Sequence, residues 1–238
     1  MRNVLAIFKR ELASYFDSPL ALIVIPAFLF IVGGFSLFFQ DIFEGGMASL
    51  RPMFFWCATS FLLLIPAVTM RLFAEEKRTG SIELLVTLPV TEGEMVLGKY
   101  LAALALMGLA LSLTLSYPLT LAQLADPDPG PIIGGYLGLA LLGAAFCAIG
   151  TAASALTSNQ VVAFLMALLV GLLPFASGYA LARVPGALLP VVQYLTFEYH
   201  FNNLARGVLD SRDLIYYGSV VALFLHIAVW ALERRRLA

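Results

Sequence analysis

The clearest candidate for chemistry in this sequence is a near-match to a nucleotide-binding loop. Residues 93–100 are GEMVLGKY and fit the pattern G-x-x-x-x-G-K-[ST] up to its last position. That position needs a hydroxyl to hold magnesium against the phosphates, and a strand must precede the loop. Tyr100 is too large for this role, and Lys99 leads into an apolar stretch. We therefore predict that this chain binds no ATP and carries no cofactor.

No other set of residues has the spacing of a catalytic or metal centre. His200 and His226 are far apart, and neither has a second His or Cys at ligand spacing. No Ser, His and acid cluster falls inside an apolar stretch, where an intramembrane protease would need it. Cys57 and Cys147 lie in apolar runs and are expected to be buried thiols. The sequence thus predicts no metal and no catalytic residue, so an intramembrane enzyme has no support.

The most distinctive polar segment is residues 71–90, RLFAEEKRTGSIELLVTLPV. Its charges come first, Gly80 permits a sharp turn, Ser81 can cap a new helix, and Pro89 ends it. A short, partly apolar helix outside the membrane needs a surface that buries it, either from this chain or from another subunit. A solvated loop is the alternative interpretation. The candidate contact residues are Glu75, Glu76, Lys77, Arg78, Gly80, Ser81, Glu83, Leu84 and Leu85.

A second candidate surface lies in residues 183–213, where polar and aromatic residues alternate. Aromatic side chains of this kind favour the boundary between membrane and water. Short helices at the outer surface are expected here, and an interfacial aromatic cap is favoured over a ligand or partner site. The residues that would form such a partner site are Tyr199, His200, Phe201, Asn202 and Arg206.

The composition indicates the kind of structure that carries these residues. Of 238 residues, 61% are hydrophobic and 12% are charged, whereas a soluble domain carries about 25% charged residues. Lipid must therefore cover part of the surface. The net charge of −1 gives no indication of nucleic-acid binding. A membrane helix needs about 20 mostly apolar residues, and six stretches meet or approach that length: 19–39, 53–70, 101–123, 132–156, 161–182 and 214–232.

The sequence therefore predicts a single all-α, polytopic membrane domain over residues 1–238, with three parts outside the spans. Residues 1–18 are expected to form an amphipathic helix in the membrane interface, or else the polar flank of the first span. Residues 71–100 are expected to be a cytoplasmic loop that contains the short, partly apolar helix, and residues 183–213 an extracytoplasmic loop. Residues 157–160 form a short polar link that is typical of a tight helical hairpin.

The distribution of basic residues predicts the orientation. If both termini are cytoplasmic, that side collects ten of the fourteen Lys and Arg residues. We therefore expect both termini inside the cell.

The fourth span carries small residues at helix-packing spacing. Gly134 and Gly138 begin the pattern, and Ala144, Ala148, Gly150 and Ser154 continue it. Small faces let helix backbones approach closely in lipid, within one subunit or across a dimer. The spacing does not distinguish these two arrangements.

Residues 71–90 resemble the cytoplasmic coupling region of the type-2 ABC exporter permease family. Permeases of that family show a run like E-x-x-x-G-[ST]-x-E-x-L-[LM]-x-[TS]-x-P between their second and third spans. The amphipathic start, six spans and long outer region agree with this resemblance. Residues 198–213 look like the corresponding stretch of gliding-motility-associated permease subunits. The matching residues of the coupling run are Glu76, Gly80, Ser81, Glu83, Leu85, Thr87 and Pro89.

The resemblance implies a permease subunit in the bacterial inner membrane that couples ATP hydrolysis to export or to mechanical signalling. It implies a dimer with a second copy or a related permease, docked on cytosolic ATP-binding subunits that hold ATP and Mg. The segment around residues 73–90 would sit in a cleft of the ATPase, and residues 1–16 would be the connecting helix. The resemblance also suggests a membrane-anchored auxiliary subunit with an extracytoplasmic part. The alternative function is a membrane scaffold or assembly subunit that moves no substrate.

Overall fold

The computed structural model describes residues 2–38, 49–81, 90–125, 127–180, 185 and 188–236. Its regular elements over these residues are all helices. In chain order they are α1 (Arg2–Asp17), α2 (Pro19–Phe38), α3 (Arg51–Thr69), α4 (Arg71–Thr79), α5 (Glu92–Leu113), α6 (Ser116–Leu124), α7 (Pro129–Leu156), α8 (Gln160–Ala180), α9 (Leu189–Leu195), α10 (Phe197–Ala205) and α11 (Ser211–Arg236).

Six helical segments in the described residues are long and apolar enough to cross a membrane. They are α2, α3 with α4, α5 with α6, α7, α8 and α11, which confirms the predicted all-α polytopic fold. The predicted hairpin at residues 157–160 is also confirmed, because α7 ends at Leu156 and α8 begins at Gln160. We call the end that carries α1, α4 and this hairpin the basal end, and the end that carries α9 and α10 the distal end.

The third span begins at Glu92, earlier than the predicted residue 101. Thr91 caps the helix, since its hydroxyl accepts from the Glu94 amide at 3.2 Å and the Glu94 carboxylate accepts from the Thr91 amide at 3.2 Å. The near-match to a nucleotide-binding loop therefore lies inside α5. Backbone amides from Met95 onward donate within the helix and cannot cradle a phosphate.

Helix α7 is the centre of the bundle and packs against α3, α5, α8, α10 and α11. Its small residues meet other helices of this same chain. A Cβ atom added at Gly150 would overlap the Thr69 side chain, and one added at Gly134 would overlap the Leu204 carbonyl. The small face of the fourth span is therefore filled within the subunit at these positions, so that a dimer must use another surface.

Ser154 of α7 supports the junction between α3 and α4, which is a helical break at Met70. The Ser154 hydroxyl donates to the Met70 carbonyl at 2.8 Å. It accepts from the amides of Phe73 at 3.0 Å and Ala74 at 3.1 Å. These amides lie in the first turn of α4, where a helix lacks its own acceptors. A side chain from another helix thus caps α4 and fixes its direction.

Helix α1 is a separate element and not a simple polar extension of the first span. The chain breaks at Ser18, and Pro19 starts α2. A Cβ atom added at Gly98 of α5 would lie 2.7 Å from Cγ2 of Ile7 and 3.1 Å from the carbonyl oxygen of Val4. The absence of a side chain at Gly98 therefore lets α1 lie directly against α5.

Candidate functional site

A buried ion cluster joins three separate helices at the basal end. Lys99 of α5 has a side chain that is only 2% exposed. Its Nζ atom lies 2.9 Å from Glu11 Oε1 of α1 and 2.8 Å from Glu76 Oε1 of α4. Arg10 reaches the same two carboxylates from the surface, at 2.8 Å from Glu11 and 3.3 Å from Glu76. We call these four residues the basal charge cluster.

The electrostatics of the basal charge cluster favour an ionised Glu11 carboxylate. Burial raises the pKa of Glu11, but the charges and hydrogen bonds of Lys99 and Arg10 outweigh it and hold that pKa below its usual value. The second carboxylate oxygen of Glu76, Oε2, is buried and has no hydrogen-bond partner among the residues that the structure describes. The Lys99 ammonium also lies 5.2 Å from the centre of the Phe73 ring. This lysine thus lies between two carboxylates that belong to different helices.

The structure divides the predicted contact residues of segment 71–90 between the interior and the surface. Glu76 points into the basal charge cluster, and Lys77 donates to the Ala155 carbonyl at the end of α7. Glu75 forms an ion pair with Arg71 at 3.4 Å and remains 42% exposed. Arg78 is exposed. Only the outward residues are free to meet a partner.

Gly80 ends α4 in the left-handed conformation, with φ of 75°. This agrees with the predicted sharp turn, because a residue with a Cβ atom is strained there. Ser81 follows, with its hydroxyl 3.0 Å from that of Thr79. The predicted contact residues Glu83, Leu84 and Leu85 lie outside the described residues, as do Thr87 and Pro89 of the matching run.

The distal end contains a buried pair of hydrogen-bonded ionisable side chains. His200 Nδ1 lies 2.6 Å from Asp213 Oδ1, with side chains 0% and 2% exposed. Its Nε2 atom lies 2.8 Å from the Tyr194 carbonyl oxygen, which can only accept, so Nε2 carries a proton. The imidazole stacks on Tyr216 with ring centres 3.9 Å apart. His200 thus joins α10 to the start of α11.

The predicted distal partner residues also divide into two groups. His200 and Phe201 are buried against other helices of this chain. Tyr199, Asn202 and Arg206 are exposed. The structure places the predicted short helices here as α9 and α10.

Sequence reasoning identified Glu76 but missed that Lys99 and Glu11 are its partners. A usable signal was present, because Lys99 lies within an apolar helical face made by Met95, Val96, Ala102 and Ala103. A lysine on such a face is buried and must find carboxylates. The pairing of His200 with Asp213 had no comparable signal. Among the described residues, no group of three His, Cys, Asp or Glu side chains could hold a metal ion.

Comparisons with known proteins give one family. A family profile described as ABC-2 family transporter protein matches residues 35–232, which leaves α1 outside the match. No curated protein gives a significant match to the chain. The matched region contains four of the six candidate spans in full, the last span up to residue 232, and the junction between α3 and α4. With more than half of its length matched, this polytopic helical chain belongs to the ABC-2 family transporter proteins, as a permease subunit of an ABC transporter.

Proposed function

We propose that this permease converts ATP hydrolysis by a separate cytosolic subunit into export or mechanical signalling across the membrane. The observation that supports this proposal is the sharing of Lys99 by Glu76 and Glu11. A subunit that displaces segment 71–90 also displaces Glu76 at the end of the second span. Lys99 then transmits the displacement to α5, and Glu11 transmits it to α1. ATP can drive the permease only through such a contact, one that differs between two states.

The docking surface in this proposal combines charged and apolar residues. Glu75 and Arg78 face outward beside the turn at Gly80, and Glu83 follows them in the sequence. These charges orient the partner and select it. Leu84 and Leu85 supply the adhesion, since burying one Leu side chain contributes roughly 1.5–3 kcal/mol.

The test uses the permease reconstituted with the ATPase that co-purifies with it in mild detergent. We expect Leu85→Asp to weaken association of the two subunits. Gly80→Val and Glu83→Lys should reduce transport-linked ATP turnover while membrane insertion stays normal. Arg212→Gln, an exposed substitution at the distal end, is the control and should change neither readout. Normal association and turnover in all three variants would contradict the coupling assignment and favour the scaffold function.

The orientation proposal places the basal end and both termini in the cytoplasm of a bacterium. The basic residues at the basal end support it. Cysteine labelling of intact cells tests it. A cysteine at residue 79 should be protected, and cysteines in residues 40–52, 124–131 and 183–213 should react with an external reagent. Labelling at residue 79 would contradict this orientation.

We also propose that two permease subunits, identical or related, form the transporter. Because α7 uses its small face within the subunit, the dimer contact is expected on other spans. Native mass measurement of the detergent-purified complex should show two permease chains, and a single chain would contradict the proposal.

The resemblance of residues 198–213 to gliding-motility-associated permease subunits further supports membership of that subfamily and the presence of an auxiliary subunit. That subunit would contact the exposed Tyr199, Asn202 and Arg206.

A further inference from the structure

The distal end contains a cavity of about 420 Å³ between α3, α7, α8 and α10. This volume is within the range of roughly 300–1,000 Å³ that is typical of small-molecule sites. Its walls are mainly apolar and include five phenylalanines and the small residue Ala58. The aromatic lining residues are Phe54, Phe55, Phe175, Phe197 and Phe201. Such walls suit an apolar chain and give it no hydrogen-bonding partners.

The rest of the lining includes charged and polar residues. Arg51 from the start of α3 and Arg206 after α10 contribute two cationic groups, and Glu198 contributes one carboxylate. A second cavity of about 270 Å³ adjoins the first and shares Glu198, Asn202 and Arg206 with it. An apolar cavity therefore meets a polar one at a shared boundary, so the combined site is amphipathic.

The two arginines of the first cavity form no ion pair within the described part of the fold. Among the residues that the structure describes, neither Arg51 nor Arg206 forms an ion pair with a carboxylate. Arg10, Arg71 and Lys99 at the basal end all form such pairs. Guanidinium groups bind phosphate with two parallel hydrogen bonds. Two unpaired arginines beside an aromatic cavity are thus complementary to a phosphate joined to an apolar chain.

The position of the site indicates where such a molecule comes from. Helices α3, α7 and α8 are candidate membrane spans, and the cavity lies at their distal ends. Lipid headgroups meet the protein at this level. We propose that this site binds one anionic phospholipid of the distal leaflet, with its phosphate at Arg51 and Arg206 and an acyl chain among the phenylalanines. Binding needs neither an ATPase nor transport, so the inference goes beyond the proposed function.

Glu198 sets the charge preference of the site. Its carboxylate reduces the charge of the lining from two positive groups to a net of one. The site therefore matches a headgroup with one negative charge. The ammonium of a zwitterionic headgroup could pair with Glu198. Phosphatidylethanolamine is therefore the most demanding lipid with which to compare the binding of an anionic lipid.

The experiment is lipid titration of the purified full chain in mild detergent, read by native mass spectrometry. We expect phosphatidylglycerol to bind at least about tenfold more tightly than phosphatidylethanolamine, because both carry the phosphate but only phosphatidylglycerol has a net negative charge to match the net positive lining. Glycerol phosphate, which carries the phosphate without acyl chains, should not compete at equal concentration. Equal binding of the two lipids, or equal competition by glycerol phosphate, would overturn the proposal with no variant needed.

Matched variants locate the binding to this cavity. Arg51→Gln and Arg206→Gln should each weaken phosphatidylglycerol binding about tenfold. Arg212→Gln, an exposed distal arginine that lines neither cavity, should leave it unchanged. Glu198→Gln should strengthen binding several-fold, an effect that a misfolded variant would not produce. Unchanged binding in both arginine variants, or weaker binding in Glu198→Gln, would contradict the assignment.

A filling variant tests the apolar part of the site. Ala58→Phe should place a ring in the cavity and reduce phospholipid binding while both arginines remain. Leu63→Phe, at a half-exposed position of the same helix, is the matched control and should bind as the unmodified chain does. Undiminished binding in Ala58→Phe would overturn the placement of the acyl chain.

Discussion

The basal and distal ends of this permease each bury a pair of hydrogen-bonded ionisable side chains, but the two pairs connect different kinds of helix contact. The basal charge cluster joins α1, α4 and α5, and Lys99 lies 88 residues from Glu11 in the sequence. At the distal end, His200 and Asp213 are separated by 13 residues and connect two neighbouring helices. The basal pairs depend on the relative positions of three elements, whereas the distal pair fixes one turn of the chain.

The two pairs also differ in how much of their side-chain surface is exposed to water. Glu11 and Glu76 keep 14% and 17% of their side-chain surface exposed, so water reaches the edge of the basal charge cluster. His200 and Asp213 have almost no exposed surface, and Tyr216 stacks on the imidazole. We therefore expect the basal contacts to exchange more readily than the distal pair when helices shift. This difference agrees with the proposed role of the basal end in coupling.

The largest expected effect is the loss of Lys99. Lys99→Met leaves Glu11 and Glu76 facing each other without their buried cation, and removing one partner of a buried pair costs about 3–5 kcal/mol. We expect this decrease in the free energy of unfolding, measured by denaturant titration in detergent. Lys9→Met, the same change at an exposed position of α1, is the control. Adding Glu11→Gln and Glu76→Gln to Lys99→Met should recover most of the loss, and no recovery would contradict the pairing.

The distal pair is expected to give a smaller effect. Asp213→Asn keeps the side-chain shape but removes the charge opposite His200, which costs roughly 1–3 kcal/mol for an impaired buried hydrogen bond. The same denaturant titration measures it, and Asp210→Asn, at the half-buried position just before α11, is a control. The variant should lower stability while ATP turnover per folded complex is unchanged. If Asp213→Asn lowered ATP turnover but left the free energy of unfolding unchanged, the proposed difference between the two ends would be contradicted.

The packing of α1 on α5 is tested by adding one methyl group. Gly98→Ala should separate the helices, because the new Cβ atom meets both a side chain and a backbone carbonyl of α1. Overpacking of this kind costs about 1–3 kcal/mol. Gly108→Ala on the same helix is a matched control, since nothing lies within 4 Å of its added Cβ atom. That control should be neutral or stabilising by up to about 1 kcal/mol, and equal effects of the two changes would contradict the close approach.

The smallest expected effect is the pH dependence of the basal charge cluster. The pKa of Glu11 is lowered in the folded protein relative to its ordinary value of 4.5. Its contribution to stability is therefore present above that value and is lost as pH falls through the lowered pKa. The stability difference between the unmodified chain and Glu11→Gln should be constant above pH 4.5 and shrink by about 1 kcal/mol below it. A difference that grows on acidification would have the wrong sign.

The sequence by itself determined the class of the protein and most of its elements. Long apolar runs require helices in lipid, because backbone amides there have no other partners. The turn at Gly80 and the hairpin at residues 157–160 were also predictable, since each depends only on local chemistry. The start of the third span was missed because Lys99 was taken as a boundary residue, and its burial depends on carboxylates that are remote in the sequence.

Which polar residues are buried in contacts between helices, and which stay exposed at the surface, depends on the tertiary structure. Glu75 and Glu76 are adjacent and chemically alike, yet one remains partly exposed and the other is held by Lys99. Tyr199 and His200 are likewise adjacent, yet the tyrosine is exposed and the histidine is buried against Asp213. Small residues of α7 could have served a dimer or a single subunit, and contacts with Thr69 and Leu204 place them within the subunit. Such outcomes depend on which helices meet in space, which residue type and spacing do not encode locally.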